Sequence, residues 1–498
     1  MDFSEFQIPL DWPIDAQEFA RQAISDFREL HSAMKQMMAD MLALQIAHGK
    51  AMEEIRELKA KLGTNSTNSS KPPSSDPPGV SPDGSRPSGR SQGAQKGHRG
   101  SGRTLFSPDR VDRTQDIFPT RCPHSGAELS PRDLISLSFK RFHQVDLPEQ
   151  LKLIVTEFRL HTCSCPCGCG KTVTAIMPVA AGNTVVGPQL KSLMSLLASQ
   201  YRLSKRLIRG LLIDIFGPDG DFSIGCISEA ETEMTEALKK PYEEAKAAIQ
   251  REPAVHVDET SWFLKHKLHW LWVAVSKALT VFFIDPHRSR EAFERFLGEF
   301  EGFIISDRFS AYSRLSPEDR QICWAHLIRD FRKLVDRKCG AEGIGNWALK
   351  EIEAMFGLWK LFLDAEINQT ELHKEFAMIK ARFGRLLKLG QDSQDPKACK
   401  LCQNLEKLWP SLWNFIQRPD ILQPTNNKAE QGVRPSVIIR DLSHGSQSER
   451  GLRFTERMLT VVATLRKQGR SILSFLNQAL SCFRSGGPMP TLVEQPSG

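Results

Sequence analysis

The stretch "AVHVDETSWF" (residues 254–263) places two adjacent acids inside a run of β-branched and aromatic residues. Such a run predicts a buried β-strand. Because side chains alternate along a strand, Asp258 shares one face with His256, while Glu259 lies on the other face with Val257. Burying an unpartnered carboxylate is costly. The strand therefore indicates that Asp258 belongs to a site that neutralises its charge.

The segments that follow predict the rest of a sheet. "HWLWVAVS" and "LTVFFIDP" predict two more strands with short connections, hence an antiparallel meander. A helix, "REAFERFLGEF", precedes a fourth strand, "GFIISDRF", which ends in Asp307, and "CWAHLIRDFRKLVDR" is a further helix. Three strands, then helix, strand and helix, is the order of a ribonuclease-H-like core. In that order the fourth strand lies beside the first, so Asp258 and Asp307 converge at one sheet edge.

A third acid is expected from "PTNNKAEQGVRP". Pro424 and Thr425 are a helix-start signal, so Glu430 falls on the first turns, on the same face as Asn426 and Asn427. Converging carboxylates repel one another, and a hard cation such as Mg²⁺ or Mn²⁺ removes that penalty. Two such ions can activate the attacking oxygen and stabilise the leaving oxygen of a phosphodiester.

The N-terminal region, 1–62, predicts a coiled coil. Within its helix over 20–62, apolar residues recur in a heptad seam that only His48 interrupts: Phe27, Leu30, Met34, Met37, Met41, Leu44, Ala51, Ile55, Leu58 and Leu62. We expect a homo-oligomer through this seam. A helix packed on its own chain is the alternative.

Residues 63–104 predict a disordered basic linker, since Gly, Pro, Ser and Asn dominate them. Its basic residues are candidates for sequence-independent phosphate contact: Arg86, Arg90, Lys96, Arg99 and Arg103. A merely soluble tether is the alternative.

Residues 105–180 predict a small zinc-finger-like unit. "RCPHSG" and "HTCSCPCGCGK" supply its thiols: Cys122, Cys163, Cys165, Cys167 and Cys169. Thiolates in two halves suit tetrahedral Zn²⁺. An eroded knuckle with free thiols is the alternative.

The region 181–250 predicts helices, with a helix-turn-helix as one arrangement and a plain helical spacer as the other. Its second helix carries the candidate DNA contacts Lys205, Arg206 and Arg209.

The order of predicted strands and helices divides the rest of the chain into three further regions. They are a catalytic core over 251–337 and 422–480, a helical insertion over 338–421, and a disordered tail over 481–498.

Basic residues gather near the end of the chain. From Arg434 to Arg484 there are nine Lys and Arg against three acids, which suggests a DNA track. Arg434 lies one turn after Glu430 and is a candidate phosphate contact, with an ion pair to Glu430 as the alternative. Arg440 is a second candidate for DNA binding.

Length and composition limit the domain number, the role of the cysteines and the cellular location that we expect. The chain of 498 residues has a net charge of +7 and is too long for one core. Its eleven cysteines favour thiols or metal ligands over disulfides. Lacking a signal peptide or an apolar run long enough to span a bilayer, it is expected to be cytoplasmic, without a membrane partner.

Four blocks, "HVDET", "SDRFSAY", "CWAHLIRDF" and "NNKAEQGVRP", together with "TNSSKPPSSD" upstream, resemble the DDE transposases of the insertion-sequence-66 family. The resemblance implies a ribonuclease-H-like core with a helical insertion, and Mg²⁺-dependent DNA strand cleavage and strand transfer. It assigns the catalytic acids to Asp258, Asp307 and Glu430. It also implies two small accessory proteins from the same element. The chain departs from the family at Ser125, where a second thiolate is usual after Cys122.

Two other functions remain open from the sequence. One is a transposase relic or repressor that binds the element's ends without cutting them. The other is a ribonuclease-H-like nuclease without strand transfer.

Overall fold

A computed structural model describes residues 8–9, 11–62, 105–129, 141–167, 169–182, 184–298 and 300–493. The chain divides into two compact units. One is drawn from Met1–Gly84 and Trp324–Trp409, and the other from Ser85–Cys323 and Pro410–Gly498. The predicted basic linker, with Arg86, Arg90, Lys96, Arg99 and Arg103, lies outside the described residues, as do the last five residues of the tail.

A mixed five-stranded sheet forms the centre of the second unit. Two three-residue strands, β1 (Thr162–Ser164) and β2 (Thr172–Thr174), pair with each other outside it. The strands of the central five-stranded sheet are β3 (Ala254–Leu264), β4 (Lys267–Val275), β5 (Thr280–Asp285), β6 (Phe303–Ser306) and β7 (Arg320–Ile322). Their order is β5-β4-β3-β6-β7. The antiparallel meander β3-β4-β5 is confirmed, and so is the fourth strand, β6, which lies parallel beside the first.

The turn between β3 and β4 consists of Lys265 and His266, whose φ angles are 47° and 67°. Left-handed values at both positions give a two-residue turn whose twist matches that of the strands it joins. The turn fixes the register, in which Asp258 pairs with Val273 and Glu259 with Trp272.

The sheet buries a different apolar cluster on each face. Val255, Val257 and Trp272 belong to one cluster, while Val273 and Val275 belong to the other. This alternation is the period-2 pattern of the sequence carried into packing. It assigns Glu259 to the face of the first cluster and Asp258 to the face of the second.

Helices surround the sheet. Before it lie α2 (Pro188–Ser199), α3 (Lys205–Phe216), α4 (Ile224–Ala237) and α5 (Lys239–Ile249), and α6 (Arg290–Leu297) connects β5 to β6. After it come α11 (Trp409–Gln417), α12 (Asn427–Ser443), α13 (Glu449–Lys467) and α14 (Ile472–Ser485). Serine side chains at the N-caps, including Ser204 and Ser223, accept backbone N–H bonds and start these helices.

A buried charge network ties α2, α4 and α14 together. The fully buried Lys191 donates to Glu229 at 2.9 Å and to Glu233 at 2.7 Å. Arg484 donates to both carboxylate oxygens of Glu233, at 2.5 Å and 2.9 Å. Each buried charge therefore has an opposite partner, as burial requires.

Side chains of α13 run along the outer edge of β5. The N–H groups of Thr280, Phe282 and Ile284 donate to three α13 side chains: Thr464 at 3.1 Å, Thr460 at 3.0 Å and Glu456 at 2.6 Å. Four residues of helix advance by about 6 Å, and two residues of strand by about 6.6–6.8 Å. The two spacings match closely enough for each acceptor to reach its own N–H.

The opposite edge strand, β7, is contacted by α11 through a different set of hydrogen bonds. The side-chain oxygen of Gln321 accepts from the backbone N–H of Phe415 at 2.9 Å, and Asn414 donates to the carbonyl of Arg320 at 2.8 Å.

The first unit is helical. It contains α1 (Ile14–Leu62), α7 (Trp324–Arg337), α8 (Glu342–Leu363), α9 (Gln369–Gln391) and α10 (Pro396–Lys407). Three of these helices, α8, α9 and α10, lie within the predicted insertion range 338–421, and α7 groups with them rather than with the sheet. The division into a core and an insertion stays a prediction. Cys402 is buried, and its sulfur lies where a Cβ on Gly390 would come within 2.3 Å. This supports a structural role for Cys402.

The predicted N-terminal helix is present as α1, of 49 residues. Its seam residues Leu30, Met37 and Leu44 are 60–73% exposed. The coiled coil that this seam predicts needs a second helix and stays a prediction.

The predicted disordered tail is corrected in its first part. Helix α14 continues to Ser485, and Leu492 is fully buried in the cluster that contains Val255. Gln468 donates to the carbonyl of Leu492 at 2.8 Å. The Gly- and Pro-rich composition of this segment predicts disorder and does not reveal that Leu492 is buried in the core.

Across the described ranges, none of the helices combines the length and the apolar character that crossing a membrane would take.

Candidate functional site

Asp258 and Asp307 lie at the same edge of the sheet. In the parallel pair β3–β6, His256 is opposite Ile305, and two residues further along the two strands come Asp258 and Asp307. The carboxyl ends of parallel strands meet at one edge, which brings the two side chains close together. The predicted convergence of these two residues is reproduced by the register.

Helix α12 brings Glu430 to the Asp258 face. Ala429 and Val433, on either side of Glu430, pack in the cluster that contains Val273, the β4 partner of Asp258. A Cβ on Gly432 would lie 3.1 Å from a methyl group of Val275, so glycine permits the close approach of helix to sheet. Glu430 is half-buried in the first turn of this helix.

Asn426 fastens the start of α12 to β3. Its side-chain N–H₂ donates to the carbonyl of Val257 at 2.8 Å, and its oxygen lies 3.1 Å from Nδ1 of His256. Because the Asn426 oxygen can only accept, Nδ1 of His256 is the donor. Burial lowers the pKa of His256 to about 4, so this imidazole is neutral near pH 7. Sequence reasoning grouped Asn426 with Glu430 but missed this anchoring contact, which joins residues 170 positions apart.

The pKa of Asp258 reflects its burial and the carboxylates around it. Burial raises the pKa of Asp258 well above its usual range. The nearby charges of Glu259, Asp307 and Glu430 raise it further, while the backbone N–H of Glu259, 2.9 Å from Asp258 Oδ1, opposes them. The arrangement is therefore a set of carboxylates that repel one another.

Glu259 has partners of its own on the opposite face. Arg288 donates to Glu259 Oε1 through Nη2 at 2.6 Å and through Nε at 3.0 Å. The Tyr312 hydroxyl donates to Oε2 at 2.6 Å. Burial and then the charge of Asp307 raise the pKa of Glu259, and the bonds from Tyr312 and Arg288 oppose the rise. The carboxylate is 2% exposed, so the ion pair satisfies a buried charge.

The Arg288 guanidinium also stacks on aromatic rings. It lies 3.9 Å from the ring centroid of Phe309 and 4.9 Å from that of Trp270. The backbone N–H of Phe309 donates to Asp307 Oδ1 at 2.9 Å. Glu259 and Arg288 thus help to hold the loop that orients Asp307.

The candidate DNA contacts differ in how far they are already engaged. Arg440 donates to Ser261 at 2.8 Å and Arg209 to Asp221 at 2.6 Å, while Lys205 pairs with Glu231 at 2.8 Å. Arg206 and Arg434 are exposed. Within the described residues, no ion pair joins Arg434 to Glu430. A DNA-binding role for these residues stays a prediction, and Arg440 has a structural role beside it.

Three of the predicted zinc ligands gather in one place. The sulfur atoms of Cys165, Cys167 and Cys169 lie within 4.8 Å of one another, close enough to hold a metal ion together. Hydrogen bonding with Cys165 and then Cys169 lowers the pKa of Cys167 to about 7. In the described part of the chain, this group includes neither Cys122 nor Cys163.

Comparisons with known proteins bear on the region that contains this site. A model described as "Family of unknown function (DUF6444)" matches residues 18–104. Uncharacterized protein y4qI of Sinorhizobium fredii is 27% identical over 245 residues, covering 44% of each chain. The chain therefore aligns with less than half the length of this relative. A third match covers residues 219–454, from before β3 into α13, and includes all three acids of the site. Over residues 219–454, the chain is similar to the family described as "Transposase IS66 family".

Proposed function

We propose that this chain is a metal-dependent DNA transposase that cleaves DNA strands at insertion-sequence ends and joins them to target DNA. The observation that carries the proposal is the meeting of Asp258, Asp307 and the helix that bears Glu430 at one edge and face of the sheet. The similarity of residues 219–454 to a transposase family supports the same reaction. The strand order β5-β4-β3-β6-β7 supports a ribonuclease-H-like core.

The three carboxylates fit a hard divalent cation. They offer only oxygen atoms, and burial together with mutual repulsion makes their negative charge costly without a cation. Mg²⁺ or Mn²⁺ held by Asp258, Asp307 and Glu430 would supply an activated oxygen nucleophile and stabilise the leaving oxygen of the phosphodiester.

The chain's own residues keep these ligands in position. Asn426 anchors the first turn of α12 to β3, and therefore fixes Glu430 relative to Asp258. The Phe309 N–H orients the Asp307 carboxylate. The Arg320 guanidinium donates to the carbonyl of the same Asp307, which stabilises the turn after β6. Rigid ligands of this kind favour catalysis because little reorganisation is needed at the moment of reaction.

Other regions contribute binding and assembly in this proposal. The α1 seam pairs two copies so that two DNA ends can be held together, and exposed Arg206 and Arg434 contact phosphates. The thiols of Cys165, Cys167 and Cys169 bind Zn²⁺, with Cys122 or Cys163 as a further ligand. The zinc content of protein purified without chelator distinguishes this site from free thiols. Two small accessory proteins would complete the reaction.

The test is a cleavage assay with Mg²⁺ on a duplex that carries the element's end. Asp258→Asn, Asp307→Asn and Glu430→Gln should each reduce cleavage by at least about 10³-fold, because each removes a charged ligand needed in the transition state. End binding without metal should persist in all three variants.

Asp441→Asn is the matched control, since Asp441 is an exposed carboxylate on the same α12 helix. It should cleave at nearly the wild-type rate. Normal cleavage by Asp258→Asn would overturn the proposed metal site, and wild-type protein that binds the ends without cutting them would favour the repressor alternative.

A further inference from the structure

In the helical unit, one stretch of helix α9 contains several basic residues and no acidic residue. From Lys380 to Lys388 it has four basic residues and no acid. Arg382 points towards α8, where its Nε donates to both carboxylate oxygens of Glu351 at 2.9 Å. The other three basic residues, Lys380, Arg385 and Lys388, line a shallow groove of about 500 Å³. We refer to it as the α9 groove.

The α9 groove has a floor of small side chains and one aromatic wall. Ala377, Ala381 and Gly384 form the floor, and Trp409 forms the wall. The α9 residues follow the i, i+3, i+4, i+7, i+8, i+11 spacing, so they share one helix face. A Cβ on Gly384 would lie 3.5 Å from the indole of Trp409. The absence of bulk here lets an elongated ligand approach the helix closely.

Two of the three cations in the α9 groove, Arg385 and Lys388, are open to solvent. In the described part of the chain, neither side chain has a hydrogen bond or an ion pair. Lys380 is half-buried, and burial lowers the pKa of its ammonium group. An anionic ligand in the groove would favour the charged form of Lys380, because an opposite charge nearby acts against the effect of burial.

The spacing of the cations suits a polyanion. Lys380 and Lys388 are eight residues apart, which is about 12 Å along the helix axis. Over that distance one strand of a DNA duplex presents roughly three or four phosphates. A half-buried tryptophan beside them suits contact with a sugar or with an unpaired base.

We propose that the α9 groove binds the sugar-phosphate backbone of DNA, through Lys380, Arg385 and Lys388 on the phosphates and Trp409 on the sugar or base. The groove shares no residue with the carboxylate site and contributes affinity without sequence preference. The inference rests on the proposed function only in taking DNA as the substrate.

The experiment measures binding of the full chain to a fluorescent duplex without insertion-sequence ends, in the absence of divalent metal, over a range of salt concentrations. The groove variant is Arg385→Ala with Lys388→Ala. The matched control is Lys397→Ala with Lys400→Ala, which removes two exposed lysines from α10, outside the groove. Losing two phosphate contacts should reduce the slope of log affinity against log salt by about 1.8 relative to the control.

A second variant, Gly384→Phe, fills the α9 groove without changing its charge and should weaken binding to the same duplex. Equal slopes for the groove and control variants would overturn the proposal. So would full binding by Gly384→Phe, since the cations would then act only at long range. Loss of self-association with normal DNA binding would mean that the groove docks a second copy, which also overturns it. Wild-type protein that does not bind DNA at all would overturn the proposed function as well, whereas the other outcomes leave it standing.

Discussion

Two adjacent acids in one strand have separate surroundings. Asp258 faces the apolar cluster that contains α12, whereas Glu259 lies on the Trp272 side and pairs with Arg288 and Tyr312. Strand alternation alone predicts this division, because it depends only on the period of the side chains. The partners of Glu259 could not be predicted, since Arg288 and Tyr312 lie 29 and 53 residues away with no local signal.

Glu259→Gln should weaken the protein more than it weakens the chemistry. The change keeps a hydrogen-bonding side chain but removes the charge that pairs with Arg288, which should cost about 2 kcal/mol of unfolding free energy. Cleavage should fall only about tenfold, through a looser Asp307 loop. Urea unfolding and the cleavage assay measure the two effects on the same preparations.

Arg288→Ala is the companion variant for Glu259. Because both substitutions break one ion pair, the double variant should lose less stability than the sum of the two single losses. If Glu259→Gln abolished cleavage at unchanged stability, Glu259 would be part of the reacting site and the division between the two acids would be wrong.

At the scale of elements, apolar periodicity predicted the three-strand meander, the fourth strand and the long helices. It did not predict Asn426, whose side chain joins α12 to β3, or the α13 side chains that accept from β5. Both depend on polar contacts between segments about 170–180 residues apart, where neither partner shows a periodic pattern. The burial of Leu492 in the predicted tail was missed for the same reason, because a single buried leucine makes no periodic pattern.

Helix α1 should determine self-association. Its seam residues Leu44 and Ile55 are 73% and 44% exposed, a large apolar surface for a helix in water. Leu44→Asp with Ile55→Asp places two charges in the seam, and light scattering of the full chain should then report a lower mass. Lys35→Asp with Lys50→Asp, which lie on the same helix outside the seam, is the control and should leave the mass unchanged. An unaltered mass for the seam variant would mean that the oligomer forms elsewhere.

At the scale of the whole molecule, the predicted division into regions stays a prediction, and the structure groups one helix differently from it. Helix α7 follows directly on β7 and reads as part of the core, yet it groups with the insertion. Which unit α7 joins depends on the element against which its apolar face packs. The periodicity of α7 shows that it has an apolar face but does not specify that element. The predicted linker falls on residues outside those described.

The buried network around Glu233 makes folding of the second unit sensitive to acid. Burial alone would raise the pKa of Glu233, but hydrogen bonds from Arg484 and Lys191 outweigh it and leave the pKa below the ordinary 4.5. A carboxylate with a depressed folded pKa stabilises the fold above its unfolded pKa, and this stabilisation is lost as pH falls through the folded value.

Glu233→Gln should therefore reduce the unfolding free energy by about 2 kcal/mol near pH 7. The difference from wild type should shrink steadily below pH 4.5. Glu236→Gln, which alters a largely exposed carboxylate on the same helix, should show little of either effect. Thermal unfolding measured across this pH range tests both, and a difference that stays constant into acid would exclude the ionised Glu233 as the source.

The coverage of both outer strands has a consequence for how copies of this protein can meet. A sheet grows when an exposed strand accepts a new strand, which is the route to fibrils and to some dimers. In the described chain, α13 already saturates the N–H groups along β5, and α11 engages β7. The β5 edge is therefore closed to a further strand, and α11 obstructs the β7 edge. Crowding of several copies therefore carries little risk of strand-driven aggregation, and self-assembly is left to helical surfaces such as that of α1.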